Sequence, residues 1–306
     1  VLLLSDVRGW AFDVNLRDMA EYLKDRFDFD FWYVADNVPF CDTPDKDYEL
    51  IYVPYTRWAQ VNEYLDYDKA VGSLRSRWMY PERPFPPGGL EISVVNQFRG
   101  FHVTTMESFH EFKGSCPDMC YLTNPVNMRR FPKVTPKRSE IVVSWNGNAK
   151  HINAAKQDVK GFFSLVQPAC RMAGVPLVYA EYNTKRLPPS RMPAFYLESN
   201  VALSVSLYEG ASNSCMEAMA SGLALIATDV GNHREMRNSQ LEHLGDTGIL
   251  LVDRNLNAIV DAITKLKRDP ARILKMGALN RREIRERWSW EAWSDRYAEF
   301  LIRGLK

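Results

Sequence analysis

The chain has 306 residues, of which 46% are hydrophobic, 12% aromatic and 25% charged; this excludes a disordered or low-complexity chain and gives core material for about two domains. Residues 1–140 carry 17 Lys and Arg against 21 Asp and Glu, whereas 141–306 carry 22 against 17, so the basic second half suits a phosphate-bearing ligand and the acidic first half weighs against a polyanion there. No apolar run approaches the roughly 20 residues of a spanning helix, although peripheral contact with a membrane stays open. The opening VLLLSDVRGW has no basic leader region and reads as a strand. Cys41, Cys116, Cys120, Cys170 and Cys215 are scattered and read as reduced thiols, which points to a cytoplasmic protein.

In chain order, residues 1–5 predict a buried strand running into a loop at Gly9. Asn15–Phe27 carries apolar residues at helical spacing. Phe29–Val34, Glu49–Val53 and Lys69–Leu74 predict further strands, the last leading into Arg75 and Ser76. A Pro-rich loop occupies 81–89, and Ile92–Asn96 and Phe101–Thr105 predict short segments, the second holding His102. The stretch 129–140, RRFPKVTPKRSE, is rich in Pro and charge and predicts a linker, which places a boundary at 137/138. Ile141–Trp145 restarts the strands, a helix is expected over about 154–173 with Gly174 ending it, and Pro176–Ala180 is a strand. Gly248–Val252 is a last strand, and 257–267, 270–287 and 291–302 predict helices. Alternation of strands and helices in both halves implies an α/β fold with parallel sheets.

The most informative stretch is 201–235. An apolar β-branched run, Val201–Leu207, meets a short polar loop, a helical pattern closed by Gly222, and a second apolar run, Leu223–Ala227. That is one parallel βαβ unit, and ligands of such units sit beyond the carboxyl ends of the strands. Glu209 and Glu217 bracket the loop. Gly210, Ala211, Ser212, Asn213 and Ser214 put small residues where a helix begins, which suits an anion such as a diphosphate. Glu209 could face a sugar or be an exposed loop carboxylate. Glu217 could accept from ribose hydroxyls or turn back to the N–H of Ser214 as a capping box. Asn148 and Lys150 follow the first strand of the second half, and Lys160 lies ten residues on; both lysines could neutralise a diphosphate or be solvated surface groups. Asp28 and Asp30, Asp45 and Asp47, and Asp66 and Asp68 form acidic triplets, which 38 acidic residues make expected by chance, so no metal site is assigned.

Taken together, SLYEGASNSCMEAMASGLALIATDVGNHRE (206–235), the Asn124-Pro125-Val126-Asn127 run with Phe131, the 141–147 strand with Lys160-Gly161, Gly248–Val252 and Trp288-Ser289-Trp290 resemble, in order, the family-four type of retaining nucleotide-sugar glycosyltransferases (glycosyl transferases group 1). The resemblance covers about 122–300 strongly and the first half weakly. It implies a GT-B architecture of two Rossmann-like domains facing across a cleft: 1–137 on the acceptor side, 138–287 holding the nucleotide sugar, and 288–306 a helix crossing back. It further implies sugar transfer to a hydroxyl acceptor (a glycan, lipid or small molecule) without metal or cofactor. Glu209 and Lys160 would carry the chemistry, Glu217 would hold the ribose, and the 210–214 backbone the phosphates. Where the family has Gly-Arg after the first donor-domain strand, this chain has Gly147-Asn148, leaving Asn148 or Lys150 to substitute. Ala224 replaces a proline, Gly231-Asn232 a glycine pair, and Arg75-Ser76 the acceptor-side histidine, with His102 one segment later. Gly9 belongs to the same acceptor side. Two other readings keep the fold: transfer to hydroxymethylated bases in DNA, and a nucleotide-sugar-binding module without activity.

Overall fold

A computed structural model describes residues 1–36, 40, 48–54, 64–75, 94–114, 116, 118–132, 140–153 and 155–306. Ser76, Cys41, the Asp45/Asp47 triplet and the 81–89 loop lie outside the described residues, as does 133–139 of the expected linker. The chain divides into two units, one made of Val1–Pro125 with Trp290–Lys306 and the other of Val126–Ser289.

The first unit is built on six parallel strands: β1 (Leu2–Ser5), β2 (Asp30–Tyr33), β3 (Ile51–Val53), β4 (Ala70–Leu74), β5 (Gly100–Val103) and β6 (Met119–Tyr121). Their order is β2-β1-β3-β4-β5-β6. Leu2 and Leu4 join one apolar cluster with Ile51, Val53, Phe101 and Val103. Leu3, between them, joins the opposite one with Tyr52 and Val71. Alternation with both faces buried is what a parallel sheet covered by helices requires. One cover is α1 (Ala11–Leu23), which turns Leu16, Met19 and Leu23 inward. α2 (Met106–Phe112) starts from Thr105, whose side chain accepts from the N–H of Ser108. The sequence reading missed both β6 and α2. β6 is only three residues long, too short for a periodic signal.

The second unit carries β7 (Val143–Gly147), β8 (Leu177–Glu181), β9 (Val201–Ser204), β10 (Ala224–Thr228) and β11 (Ile249–Val252), all parallel, in the order β11-β10-β9-β7-β8. Val143, Leu203 and Ile226 face a cluster with Phe162, Val166 and Ile263. Ala202, Leu225 and Ala227 face Met216, Met219 and Ile284 on the other side. The helices are α3 (Gln167–Ala173), α4 (Met192–Tyr196), α5 (Asn213–Ala220), α6 (His233–Leu244), α7 (Leu256–Lys267) and α8 (Pro270–Arg287). The last helix, α9 (Trp290–Leu305), clusters with the first unit, where Trp290, Tyr297 and Leu301 pack with Leu3, Leu16 and Leu50.

One expected helix is corrected. Regular structure after β7 begins not near 154 but at Phe162, with a π-type turn over Phe162–Val166 running into α3. The residues before it form a small antiparallel loop, bridged at Ile152 and Asp158, with Lys156 at a left-handed φ of 58°. Asp158 then caps the helical segment, its carboxylate accepting from the N–H groups of Gly161 and Ser164. α6 was also missed, because its sequence HREMRNSQLEHL has few apolar residues and buries only His233, Met236 and Gln240.

Candidate functional site

In the second sheet the strand order reverses at β7, whose neighbours β8 and β9 lie on opposite sides. The carboxyl ends of β7 and β9 therefore flank a topological switch point, the place where open α/β sheets hold ligands. Three loops meet there: 147–161 after β7, 205–212 after β9, and 229–232 after β10.

Lys160 and Glu209, assigned from sequence as separate groups, form one pair, with Nζ donating to Oε1 over 2.5 Å. The Oγ of Ser206 donates to the same carboxylate oxygen at 2.7 Å. Burial pushes the Glu209 carboxyl up, but the Lys160 charge and the hydrogen bonds from Lys160 and Ser206 outweigh it and hold Glu209 ionised below the usual range. The side chains are 23% and 12% exposed, so the pair faces a recess rather than solvent. That recess is lined by Lys160, Ser206, Glu209, Ser214 and Cys215 among others.

The local fold makes the pair. Leu207 N–H donates to the Val159 carbonyl at 2.8 Å, and Arg254 donates to the carbonyls of both Val205 and Asp158, so the two loops are stitched together. Gly161 has φ +68°, and a Cβ there would lie 2.9 Å from Val205 Cγ2. Thr228 at the end of β10 donates to the Ser206 carbonyl at 2.7 Å. Gly231, at φ +59°, lies so close under the loop that a Cβ would approach the Gly210 carbonyl oxygen to 2.2 Å. Only glycine supports that approach.

The segment proposed from sequence as a phosphate cradle is already clamped at two points. Asn232 N–H donates to Gly210 O, and Ser212 N–H donates to Asn232 Oδ1 at 3.2 Å. α5 starts at Asn213 with Ser212 as N-cap and no side-chain cap bond. Glu217 is thus the fifth helical residue, not the third of a capping box at Ser214, which itself lies inside the helix. Its Oε2 lies 3.2 Å from Tyr196 Oη and its Oε1 lies 3.7 Å from Arg130. The Asn148 Oδ1 accepts from Lys150 N–H and from Asn183 Nδ2, and the Lys150 side chain is exposed. The loop is held by Glu181, at the end of β8, which accepts from Ala149 N–H, Asn183 and Thr184. Burial raises its carboxyl pKa, but those hydrogen bonds prevail and hold it at about 2.

Sequence reasoning gave no role to Ser206, Tyr196, Arg130 or the buried Cys215–His233 pair. Ser206 stands in the SLYEG run and could have been found there. The others are brought in from distant positions. Cys215 Sγ lies 3.2 Å from His233 Nε2, and His233 Nδ1 lies 2.8 Å from the Thr228 carbonyl, so Nδ1 must carry a proton.

In the first unit, Gly9 follows β1 at φ +75° and gives its N–H to Asp13 Oδ2 at 2.7 Å. Arg75 is buried at the end of β4 and donates to Ser73, Asn124 and Tyr52. His102 is fully buried, its Nε2 2.6 Å from Tyr52 Oη and its ring edge-on to Tyr297 and Phe300. Tyr52 Oη thus bridges the Arg75 guanidinium and the His102 imidazole. Burial and the Arg75 charge push its pKa well below the ordinary value. His102 has the surroundings of a core side chain, and it joins Arg75 in one network through Tyr52. Among the described residues no group of three or more His, Cys, Asp and Glu is placed to hold a metal, and no helix is long and apolar enough to cross a membrane.

Residues 183–288 match the family model of glycosyl transferases group 1. That match lies within the second unit, and the chain as a whole has the GT-B fold. The fold is that of sucrose-phosphate synthase from Thermosynechococcus elongatus, at TM-score 0.72 and 14% identity over 99% of this chain and 98% of that one. It is also that of Anabaena HepE in complex with UDP and glucose, at TM-score 0.74 and 14% identity over 98% and 99%. In sequence, 93 residues are 30% identical to a GDP-mannose-dependent alpha-(1-6)-phosphatidylinositol monomannoside mannosyltransferase of Mycobacterium tuberculosis. That match spans 30% of this chain and 23% of the relative. The group 1 match begins after Lys160, so the Lys160–Glu209 pair joins a residue outside it to one within.

Proposed function

We propose that the protein is a retaining glycosyltransferase that moves a sugar from a nucleoside-diphosphate donor to a hydroxyl acceptor, with the donor bound by the group 1 unit. The observation that carries this reading is the Lys160–Glu209–Ser206 cluster at the switch point between β7 and β9. Without ligand, the lysine cation and the glutamate neutralise each other. A diphosphate entering the recess competes for the lysine, which can then stabilise charge developing on the leaving group. Glu209, released, is an acceptor for sugar hydroxyls, and Ser206 keeps it oriented. Glu217, with one oxygen toward Tyr196, is the candidate for the ribose diol. The cluster offers hydrogen bonds and charge rather than a nucleophile poised for attack, so the reading follows the family in having the acceptor approach the face the diphosphate leaves, with the diphosphate taking its proton. Metal independence and a cytoplasmic location belong to the same reading.

The test is a thermal-shift screen with UDP, GDP, ADP and CDP and their sugars, followed by donor turnover. A ligand at a hundred times its Kd stabilises by about 2.7 kcal/mol, which in a chain of this size raises Tm by several degrees, at about 2–4 °C per kcal/mol. The HepE structure with UDP and the GDP-mannose-dependent relative make UDP and GDP the first choices. If no nucleotide or nucleotide sugar shifts the melt and none is turned over, the reading is wrong. Proton NMR of the product's anomeric centre tests retention.

A further inference from the structure

The loop between β7 and Lys160 carries a histidine close to the Lys160–Glu209 pair. His151 stands at the base of that loop, where its carbonyl accepts from Val159 N–H at 2.9 Å and its own N–H donates to Asn148 O at 3.2 Å. These bonds fix the histidine backbone one residue from Lys160 across the loop neck. The ring is half-buried and meets Tyr208, the neighbour of Glu209, edge-on at 6.3 Å between centroids. The imidazole therefore lies beside the Lys160–Glu209 pair, on the loop that follows β7 at the switch point of the sheet.

We propose that His151 is part of the diphosphate-binding face, contacting a bound nucleoside diphosphate as an imidazolium beside Lys160. This rests on the donor-site reading above and names a residue that reading does not contain. The charged groups acting on the ring are Lys160, Glu209 and Asp158. Without ligand, burial and then the Lys160 charge hold the imidazole pKa below its ordinary value, against the opposing pull of Glu209 and Asp158. A diphosphate reverses the balance, because it places two or more negative charges next to both cations. Binding is then linked to proton uptake. Affinity rises as pH falls through the ligand-bound pKa of His151, and levels off below its ligand-free pKa.

The experiment uses the whole chain and UDP and GDP as probes, in calorimetric titrations run in two buffers of different ionisation heat at about pH 7. The wild type is expected to take up part of a proton more per bound nucleotide than His151→Gln. The variant is expected to bind about tenfold more weakly near pH 6.5, with the gap closing above about pH 8. His151→Lys is expected to restore affinity while removing the pH dependence. On the wild type alone, the imidazole resonance absent from the variants should titrate at higher pH with nucleotide bound. Nucleotide binding with unchanged proton uptake in His151→Gln, or a resonance that nucleotide does not move, overturns this assignment and leaves the donor site standing. Failure of the wild type to bind either nucleotide overturns both.

Discussion

Lys160 and Glu209 depend on each other unequally. Removing the lysine leaves a carboxylate that is 12% exposed with Ser206 as its remaining partner in the cluster. Removing the carboxylate's charge leaves a lysine that can extend toward solvent. Lys160→Met is therefore expected to cost about 1–3 kcal/mol in denaturant melts, and Glu209→Gln less than about 1 kcal/mol. Both should lower sugar transfer by about a hundredfold or more. If both variants turn over donor at near wild-type rates, the cluster is not the reacting site. At this scale the sequence revealed chemical types at informative spacings: two carboxylates around a small-residue loop, and a lysine before a glycine. It could not reveal that Tyr196 and Arg130 both reach Glu217, because those contacts join residues far apart in the chain. Nor could spacing exclude a helix cap for Glu217; that required the helix start, which Ser212 and Asn213 define.

Among loops and elements, two residues hold the site's walls in place. Gly231 combines a left-handed φ of +59° with a carbonyl oxygen 2.2 Å from where a Cβ would stand. Gly231→Ala must move the 209–210 backbone, and is expected to destabilise by about 1–3 kcal/mol. It should also weaken nucleotide binding beyond what that loss explains, as titration of the still-folded variant with UDP would measure; unchanged stability and affinity would rule out the clamp. Glu181 holds the loop after β7 through Ala149, Asn183 and Thr184. Its folded-state pKa is depressed from 4.5 to about 2, so its contribution is present above the unfolded-state value and lost as pH falls toward about 2. Glu181→Gln should thus be less stable than wild type by about 1–3 kcal/mol near neutrality, with the difference shrinking between about pH 4.5 and pH 2. A gap independent of pH would show that the carboxylate charge is not what matters. The long apolar strands and amphipathic helices were legible here from their periods, as with α7 and α8. The bridge at Ile152 and Asp158 and the turn at Lys156 were not: they are set by hydrogen bonds between Asn153 and Gln157 and by those the Asp158 carboxylate accepts from Gly161 and Ser164, which leave no apolar period to read.

For the molecule as a whole, the βαβ repetition made the parallel sheets readable, and the motif order made the donor half readable. Less legible was the first unit, whose short strands and Pro-rich stretch give weak patterns. α9 provides a test of how that unit is held. Trp290 is 1% exposed and packs on Tyr22 and Tyr297 at 5.8 and 4.9 Å between ring centroids. Trp290→Ala is expected to cost about 3–5 kcal/mol. In calorimetry the loss should fall on the transition of the first unit, with the second unit's transition, identified by its shift on adding nucleotide, nearly unmoved. A variant that melts like wild type would contradict the packing described.

The place of α9 in the chain also bears on how the protein is made. On the ribosome, residues 126–289 emerge complete while the earlier 125 residues still lack Trp290, Tyr297 and Leu301, which fill the face formed by Leu3, Leu16 and Leu50. The segment synthesised first therefore finishes folding last. It waits with an apolar sheet face uncovered through the synthesis of the entire second unit, and that interval, rather than any weakness of the finished fold, is when the nascent chain is most exposed to aggregation and most in need of a chaperone.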